Sequence, residues 1–486
     1  MSNTKNNKVA SNAVFATVNQ FTITFAPLIT TPYVTRVLGA NRLGVFTYTL
    51  SIVNYFVLFS LLGVSNYGTR VIAEKRAKSE SYSVKFHEIY AIQFAASAIC
   101  LLLYCLMLLI TPVDNLNIAW IQIIWIIGAL FDITWFYYGL EEVKTTALCS
   151  IIAKVLTIVS IFLFVKSNEY CLIAYASIMA LGNLASMVLL WIPLRKHLRF
   201  ERIHLKDIVE HIRPILVLFV PLLATTVFHN MDKTMLGILS TYQDLSYYYN
   251  ADMIINVPLG IIIVLGSVFL PKIIDYRVNN NNKEEQAFMY KTFEVVICLT
   301  ALLGFGIMGC AKEFIPMFFG QEYTPSATLV CFLVPVLFLK AISNFYRMEY
   351  LIPRHLDKIY VFATIAGAVV NLILNMLLIP KLSAVGAVLG TIAAEFTVTV
   401  VQFSDRDDAI KYSSFLKSTV TYLCIGALMM LVMRMIALIN MNVVIKSVLE
   451  ILAGGMFYLV VCVIYWLFIR KDNTILDTIK SDIMHR

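Results

Sequence analysis

Apolar runs long enough to cross a bilayer follow one another along nearly the whole chain, and no other feature constrains the fold so tightly. A hydrocarbon core of about 30 Å takes roughly 20 mostly apolar residues of helix. Runs of that length fall near 13–37, 44–69, 87–110, 117–139, 147–165, 170–194, 213–238, 247–271, 288–310, 326–348, 359–379, 384–403, 415–438 and 445–469. Lipid offers backbone groups no hydrogen-bond partner, so these runs must be helices. The reading is an all-α integral membrane protein of fourteen transmembrane helices, spans 1 to 14, with both termini on one side. Composition agrees. Of 486 residues, 59% are hydrophobic and 14% charged, whereas a soluble chain carries about 25% charged residues.

Charge placement chooses the orientation. With the amino terminus inside, six of the 38 Lys and Arg fall in external loops (Arg36, Arg42, Lys166, Lys312, Lys381, Lys446). Four lie within spans (Lys154, Lys233, Lys340, Arg434), and the other 28 are cytoplasmic. The net charge of +8 therefore reflects topology, and no nucleic-acid partner is expected. The nine cysteines lie in or beside apolar runs without a CxxC pair, and read as small buried hydrophobes. Neither HExxH nor GxxxxGK[ST] occurs, so no metal site, no cofactor and no ATP hydrolysis are expected. The start, MSNTKNNKVASN, lacks the apolar core of a signal peptide, and span 1 is expected to stay in the mature protein.

Two connections depart from simple hairpins. RKHLRFERIHLKDIVEHIRP (Arg195–Pro214) places Leu198, Leu205, Val209 and Ile212 on one stripe, the pattern of a helix lying on the inner membrane surface. RVNNNNKEEQ (Arg277–Gln286) is polar without period and reads as a cytoplasmic loop. There is also an internal echo. LGVFTYTLSIVN (Leu43–Asn54) and LSYYYNADMIIN (Leu245–Asn256) match at one offset, each after a polar-striped helix ending in glycine, PLITTPYVTRVLG and PLLATTVFHNMDKTMLG. Repeats six spans apart are parallel and related by a pseudo-two-fold along the membrane normal. The expected organisation is a six-helix lobe over 1–194, an interfacial linker over 195–213 and a second six-helix lobe over 214–403. Spans 13 and 14 with a cytoplasmic tail complete it over 404–486.

Within span 7, Thr225, His229 and Lys233 fall at helical spacing, with Asn230 and Thr234 beside them. Gln20, Thr24, Thr31 and Thr35 make a second stripe in span 1. Polar groups in hydrocarbon usually face an interior or a wet cavity, so the two stripes fit opposite walls of a central cavity. Lys233 lies roughly 28 Å beyond Pro214 on an ideal helix. A lysine snorkelling to headgroups beside a capping carboxylate is the competing reading.

The blocks Ile29–Arg70, DITWFYYGLEEVK (Asp132–Lys144), MDKTMLG (Met231–Gly237), INVPLGIIIVLGSVFLP (Ile255–Pro271) and Ala368–Glu395 together resemble the Wzx-type flippases. These move O-antigen and capsule repeat units and belong to the multidrug/oligosaccharidyl-lipid/polysaccharide exporter superfamily. The resemblance implies two six-helix lobes plus a terminal pair, in the bacterial plasma membrane. It also implies the substrate, an undecaprenyl-pyrophosphate-linked oligosaccharide carried from the inner to the outer leaflet by alternating access. Asn344–Pro353 departs from the family pattern, since Arg347 and Glu349 stand where small uncharged residues are usual.

Moving a pyrophosphate through hydrocarbon calls for cations in the cavity, where arginine can pair bidentately. The candidates are Arg36, Lys233, Lys340 and Arg347; for the sugars they are Asn54, Tyr55, Asn256, Asn371, Asn375 and His229. Asp132, Asp252 and Glu395 are candidates for exchanging H+ or Na+. No catalytic residue is assigned; membrane lipids are the other partner, and a functional monomer is expected. A lipid II flippase and a cation-coupled multidrug exporter are the nearest alternatives. The exporters commonly use a carboxylate in span 1, and none occurs from Asn12 to Arg36. A membrane glycosyltransferase or polymerase would need a large external loop, and none exceeds roughly fifteen residues on this assignment of spans.

Overall fold

The computed structural model describes residues 2–110, 115–198, 204–405, 410 and 412–469. Among them no strand occurs, and twelve helical stretches are long and apolar enough to cross a membrane. The helices are α1 (Ser2–Leu61), α2 (Val64–Ala77), α3 (Ser83–Ile110), α4 (Leu116–Phe131), α5 (Thr134–Gly139), α6 (Val143–Phe164), α7 (Cys171–Leu189) and α8 (Trp191–Leu194). There follow α9 (Leu205–Leu239), α10 (Tyr242–Val278), α11 (Asn282–Phe319), α12 (Thr324–Tyr346), α13 (Asp357–Gln402), α14 (Tyr412–Ala437) and α15 (Val443–Ile464).

Two of the twelve stretches are far longer than a bilayer needs, Val14–Ala77 with 64 residues and Asp357–Gln402 with 46. The first leaves helical geometry at Gly39 and again at Leu62 (φ 46°), between α1 and α2, and the second at Ser383. Gly39 takes φ 74°, which glycine accepts without a Cβ penalty. Ser383 takes φ 49°, and there the chain turns back on itself. A Cβ on Gly386 would meet the Leu378 backbone at 2.6 Å, and one on Gly390 would meet Asn375 Oδ1 at 2.2 Å. The residues facing each other across Ser383 thus keep a nearly constant sum of numbers, the signature of an antiparallel helical hairpin.

The chain divides into two compact units, Met1–Tyr249 with Thr364–Ala394, and Asn250–Ala363 with Glu395–Arg486. In the first, α9 runs antiparallel to the second arm of α1 and to α2. Gly44 lies against Tyr242, Gly237 against Tyr48 and Gly63 against Ile215, each so close that a Cβ would approach within 2.2 Å. Phe59 packs on Phe219 with ring centroids 5.3 Å apart. At the far end Tyr67 Oη lies 2.7 Å from His211 Nδ1, and His211 Nε2 lies 2.8 Å from Glu88 of α3.

The block Asp132–Lys144 is a helix break built into the first unit. α4 ends at Phe131 and α5 starts at Thr134, leaving backbone groups that lipid cannot satisfy. Asp132 Oδ1 accepts from the Thr134 amide (2.9 Å) and hydroxyl (2.7 Å). The buried Gln93 amide donates to the Ala129 and Asp132 carbonyls at 2.8 and 2.7 Å, and its Oε1 accepts from Trp135 Nε1 at 3.0 Å. Trp135 then lies where a Cβ on Gly68 would be 2.4 Å from its ring.

In the second unit α11 is the central helix. Gly304 packs on Phe338 and Val334 of α12, and Gly309 on Met433 of α14. Tyr458 of α15 donates to the Cys298 carbonyl at 2.8 Å. Arg434 pairs with Glu313 at 3.2 Å rather than reaching outward alone. α11, α14 and α15, with Ile254 of α10, line an apolar cavity of about 450 Å³.

Two expected connections differ. Leu205–Arg213, read as part of a separate surface helix, forms the first turns of α9, because Pro214 and Pro221 bend a continuous helix rather than end it; residues 199–203 of that linker lie outside the described residues. The polar stretch 277–286 shrinks to a turn at 279–281, since α10 extends to Val278 and α11 begins at Asn282. The turn closes through Asn280 N–H to Arg277 O (3.0 Å) and Asn281 N–H to Tyr276 O (2.9 Å). The tail expected to be cytoplasmic, from residue 470 onward, is likewise outside the described residues.

Candidate functional site

Polar side chains of the first unit gather along α9. Asn230 Oδ1 accepts from Asn54 Nδ2 at 3.5 Å, and Thr234 Oγ1 lies 3.0 Å from Ser51 Oγ and 3.4 Å from Tyr55 Oη. Two sugar-site candidates, Asn54 and Tyr55, thus share one seam with the span 7 stripe. Lys233, one residue along, sits 5.5 Å over the Tyr249 ring, in range for a cation–π contact. His229 is exposed beside Phe228.

Behind this seam lies a buried hub that joins the sugar-site candidates Asn371 and Asn375 to Asp232, which was not among the sequence-based candidates. Asp232 Oδ2 accepts from Tyr248 Oη at 2.7 Å and Thr391 Oγ1 at 2.9 Å, while Oδ1 accepts from Asn375 Nδ2 at 2.6 Å. Asn375 also donates to Asn371 Oδ1 at 3.1 Å. The hairpin of α13 delivers Asn371 and Asn375 from one arm and Thr391 from the other. Asp232 is 6% exposed, and both asparagines are fully buried. Three donors on two oxygens suit an ionised carboxylate, the condition for holding a charge where water is scarce. Amide, hydroxyl and carboxylate oxygens together also suit a hard cation. The sequence signal was the run His229–Asp232–Lys233; Asn375 and Thr391 stand 143 and 159 residues away and give no local pattern.

The remaining candidates are more scattered. Arg36 is exposed, and its Nη1 lies 3.5 Å from the Pro32 carbonyl of its own helix, one turn before Gly39. Of the span 1 stripe, Thr31 and Thr35 are buried and joined along the helix, Gln20 is exposed and Thr24 is half-buried. In the second unit, Lys340 is 3.7 Å from Glu395, both side chains being largely buried. A cation assigned to phosphate and a carboxylate assigned to coupling therefore hold each other. Arg347 stacks over Tyr360 at 5.0 Å and donates to Asn344 Oδ1 at 3.0 Å. Asp252 is half-buried and Asn256 exposed. Asp132, in the first unit, is engaged in capping α5.

A family model described as "Polysaccharide biosynthesis protein" matches residues 9–277, and one described as "Lipid II flippase MurJ" matches 240–454. A "Putative O-antigen transporter" of Escherichia coli (strain K12) is 22% identical over 401 residues, covering 82% of this chain and 96% of its own. Its namesake from Shigella dysenteriae is 24% identical, over 77% of this chain and 94% of its own. The solved structure "Lipid II flippase MurJ, inward closed conformation" shares the fold, with a TM-score of 0.72 at 16% identity, covering 95% of this chain and 100% of that one. An inward-facing multidrug resistance MATE family transporter of the MOP superfamily follows at 0.58 and 12%, covering 84% and 98%. The first family match covers more than half of the 486 residues, so the chain belongs to the polysaccharide biosynthesis protein family, the Wzx-type flippases that its sequence resembles.

Proposed function

We propose that the protein carries undecaprenyl-pyrophosphate-linked oligosaccharide from the inner to the outer leaflet of the bacterial plasma membrane, by alternating access through a cationic, water-accessible cavity. The observation that carries this reading is the gathering of polar side chains along α9 in a chain whose curated relatives are named O-antigen transporters. Sugars need hydroxyl and amide partners and the pyrophosphate needs cations; the isoprenoid tail needs neither and can stay in lipid. Arg36 remains the first candidate for phosphate, with Lys233, Lys340 and Arg347 behind it.

The reading takes Val14–Ala77 and Asp357–Gln402 as two crossings each, broken at Gly39 and Ser383, which makes fourteen from twelve stretches. It retains two six-helix lobes over 1–194 and 214–403, supported by the sequence echo, and both termini inside, supported by loop charge. It also retains action as a monomer. For coupling, Asp232 moves ahead of Asp132, Asp252 and Glu395. An ionised carboxylate ringed by exchangeable oxygen ligands can trade H+ or Na+ as its donors rearrange.

Flipping of lipid-linked repeat units by the full chain in proteoliposomes tests the reading. Arg36→Ala should slow it several-fold at unchanged melting temperature, since a poorly screened cation interacts several-fold more strongly than one in water. Wild-type turnover in Arg36→Ala would remove that residue from the site, and no flipping by the wild type would remove the reading. A second reading, transport of lipid II, is favoured by the MurJ family match over 240–454. Lipid II offered in competition in the same vesicles separates the two.

A further inference from the structure

After α12 the chain does not leave the helix cleanly. Residues Arg347–Leu351 form one π-helical turn, the wide i→i+5 geometry that often marks a functional position in an α-helix. The sequence singles out Arg347 and Glu349 in this turn as unusual, fitted either to this protein's own substrate or to a local ion pair. The structure separates them. Arg347 goes to Tyr360 and Asn344, whereas Glu349 is fully buried and reaches Thr292 of α11, with Oε2 2.5 Å from Oγ1. Its Oε1 has no hydrogen-bond partner among the described residues.

Thr292 owns one hydroxyl hydrogen, and three acceptors compete for it: Glu349 Oε2, the Phe288 carbonyl at 3.0 Å and the Met289 carbonyl at 3.1 Å. The carboxyl therefore has at most this one shared donor for its two oxygens. Among the described residues no cation pairs with it. The other buried carboxylates of α11 are partnered: Glu285 takes Arg354 at 2.9 Å and Arg277 at 3.5 Å, and Glu294 accepts from Tyr422. An ionised carboxylate with one oxygen unpartnered in a dry site is strongly disfavoured.

We propose that Glu349 is a proton-binding site, loaded in this conformation, and that unloading it requires the π-helical turn to open. On release the Glu349 O–H bond breaks and the proton passes to water entering the turn. The carboxylate left behind has one shared hydroxyl donor for two oxygens and needs solvent, so proton loss and opening are one linked event. Asp232 is the opposite case, a carboxyl surrounded by donors. Only the transport consequence of this proposal rests on the flippase reading.

The test uses the full chain in detergent and in vesicles, with Glu349→Gln as the uncharged variant of like shape. Infrared difference spectra across a pH step should show a protonated-carboxyl C=O band in the wild type that Glu349→Gln loses. The wild-type melting temperature should fall as pH rises while that of Glu349→Gln stays flat, because only the wild type has a proton to lose. Thr292→Val, which removes the hydroxyl partner but keeps the volume, should shift the band and move the wild-type pH profile. In vesicles, flipping should vary with pH in the wild type and lose that dependence in Glu349→Gln. A band that survives in Glu349→Gln, or equal pH slopes in the two proteins, overturns the proposal. Loss of the band in a chain that moves no lipid-linked sugar would uphold the proton site and overturn the flippase reading instead.

Discussion

Asp232 and Gly390 show how little of the hub depends on one residue alone. Asp232→Asn removes the charge and puts an NH2 where one oxygen was, so either the Asn375 amide or the Tyr248 and Thr391 hydroxyls lose their acceptor. Flipping should fall about tenfold or more, which corresponds to ~1.4 kcal/mol, with the fold retained in a melting assay. Asp232→Ala should also cost stability, since each buried group left unpaired is worth about 1–3 kcal/mol. Gly390→Ala tests the same hub without touching a charge, because its Cβ would fall 2.2 Å from Asn375 Oδ1. It should reproduce the transport defect of Asp232→Asn, and normal flipping in both variants would detach the hub from function. At this scale the sequence was least informative. Periodicity marks Thr234 and Asn230 because they share a helix face. It is silent on Thr391 and Asn375, which reach Asp232 only through the fold-back at Ser383.

Helices were far easier to foresee than their ends. An unbroken apolar run has one physical solution in lipid, so each apolar run in the described chain became helix. The exceptions have local causes: Ser383 folds the chain back and Gly39 interrupts α1, each at a single residue, too briefly for composition to separate the arms. Conversely, α10 and α11 carry their helical geometry through a polar stretch that reads as loop, because asparagine-rich turns cap helices as readily as they end them. The α4–α5 break predicts a packing defect. Gly68→Ala, with its Cβ 2.4 Å from Trp135, should destabilise by about 1–3 kcal/mol, seen as a lower melting temperature. The seam on α9 predicts a lock. A disulfide between Ser51→Cys and Thr234→Cys, whose native hydroxyls are 3.0 Å apart, should form on oxidation and stop flipping reversibly. Undiminished flipping in the cross-linked protein would mean that α9 never leaves this partner.

At the scale of the whole molecule, orientation follows from charge and can be checked without any structure. A reporter fused after Gln321, between α11 and α12, should read external, and one after Asn281, between α10 and α11, cytoplasmic; the reverse at either site would undo the fourteen-span count. α9 and most of the fold-back hairpin of α13 group with the helices α1 to α8 in one compact unit. The fixed pairing of α9 bears on how it can move. Gly63 against Ile215 and Gly237 against Tyr48 bring backbone or ring atoms so near that a slide along the axis would drive side chains into one another at both levels together. Shear of packed helices tolerates small glides; this seam tolerates almost none. If α9 parts from its neighbours during a cycle, it must peel away sideways, as a strip lifts from adhesive, and its bends at Pro214 and Pro221 are where such a strip would flex first.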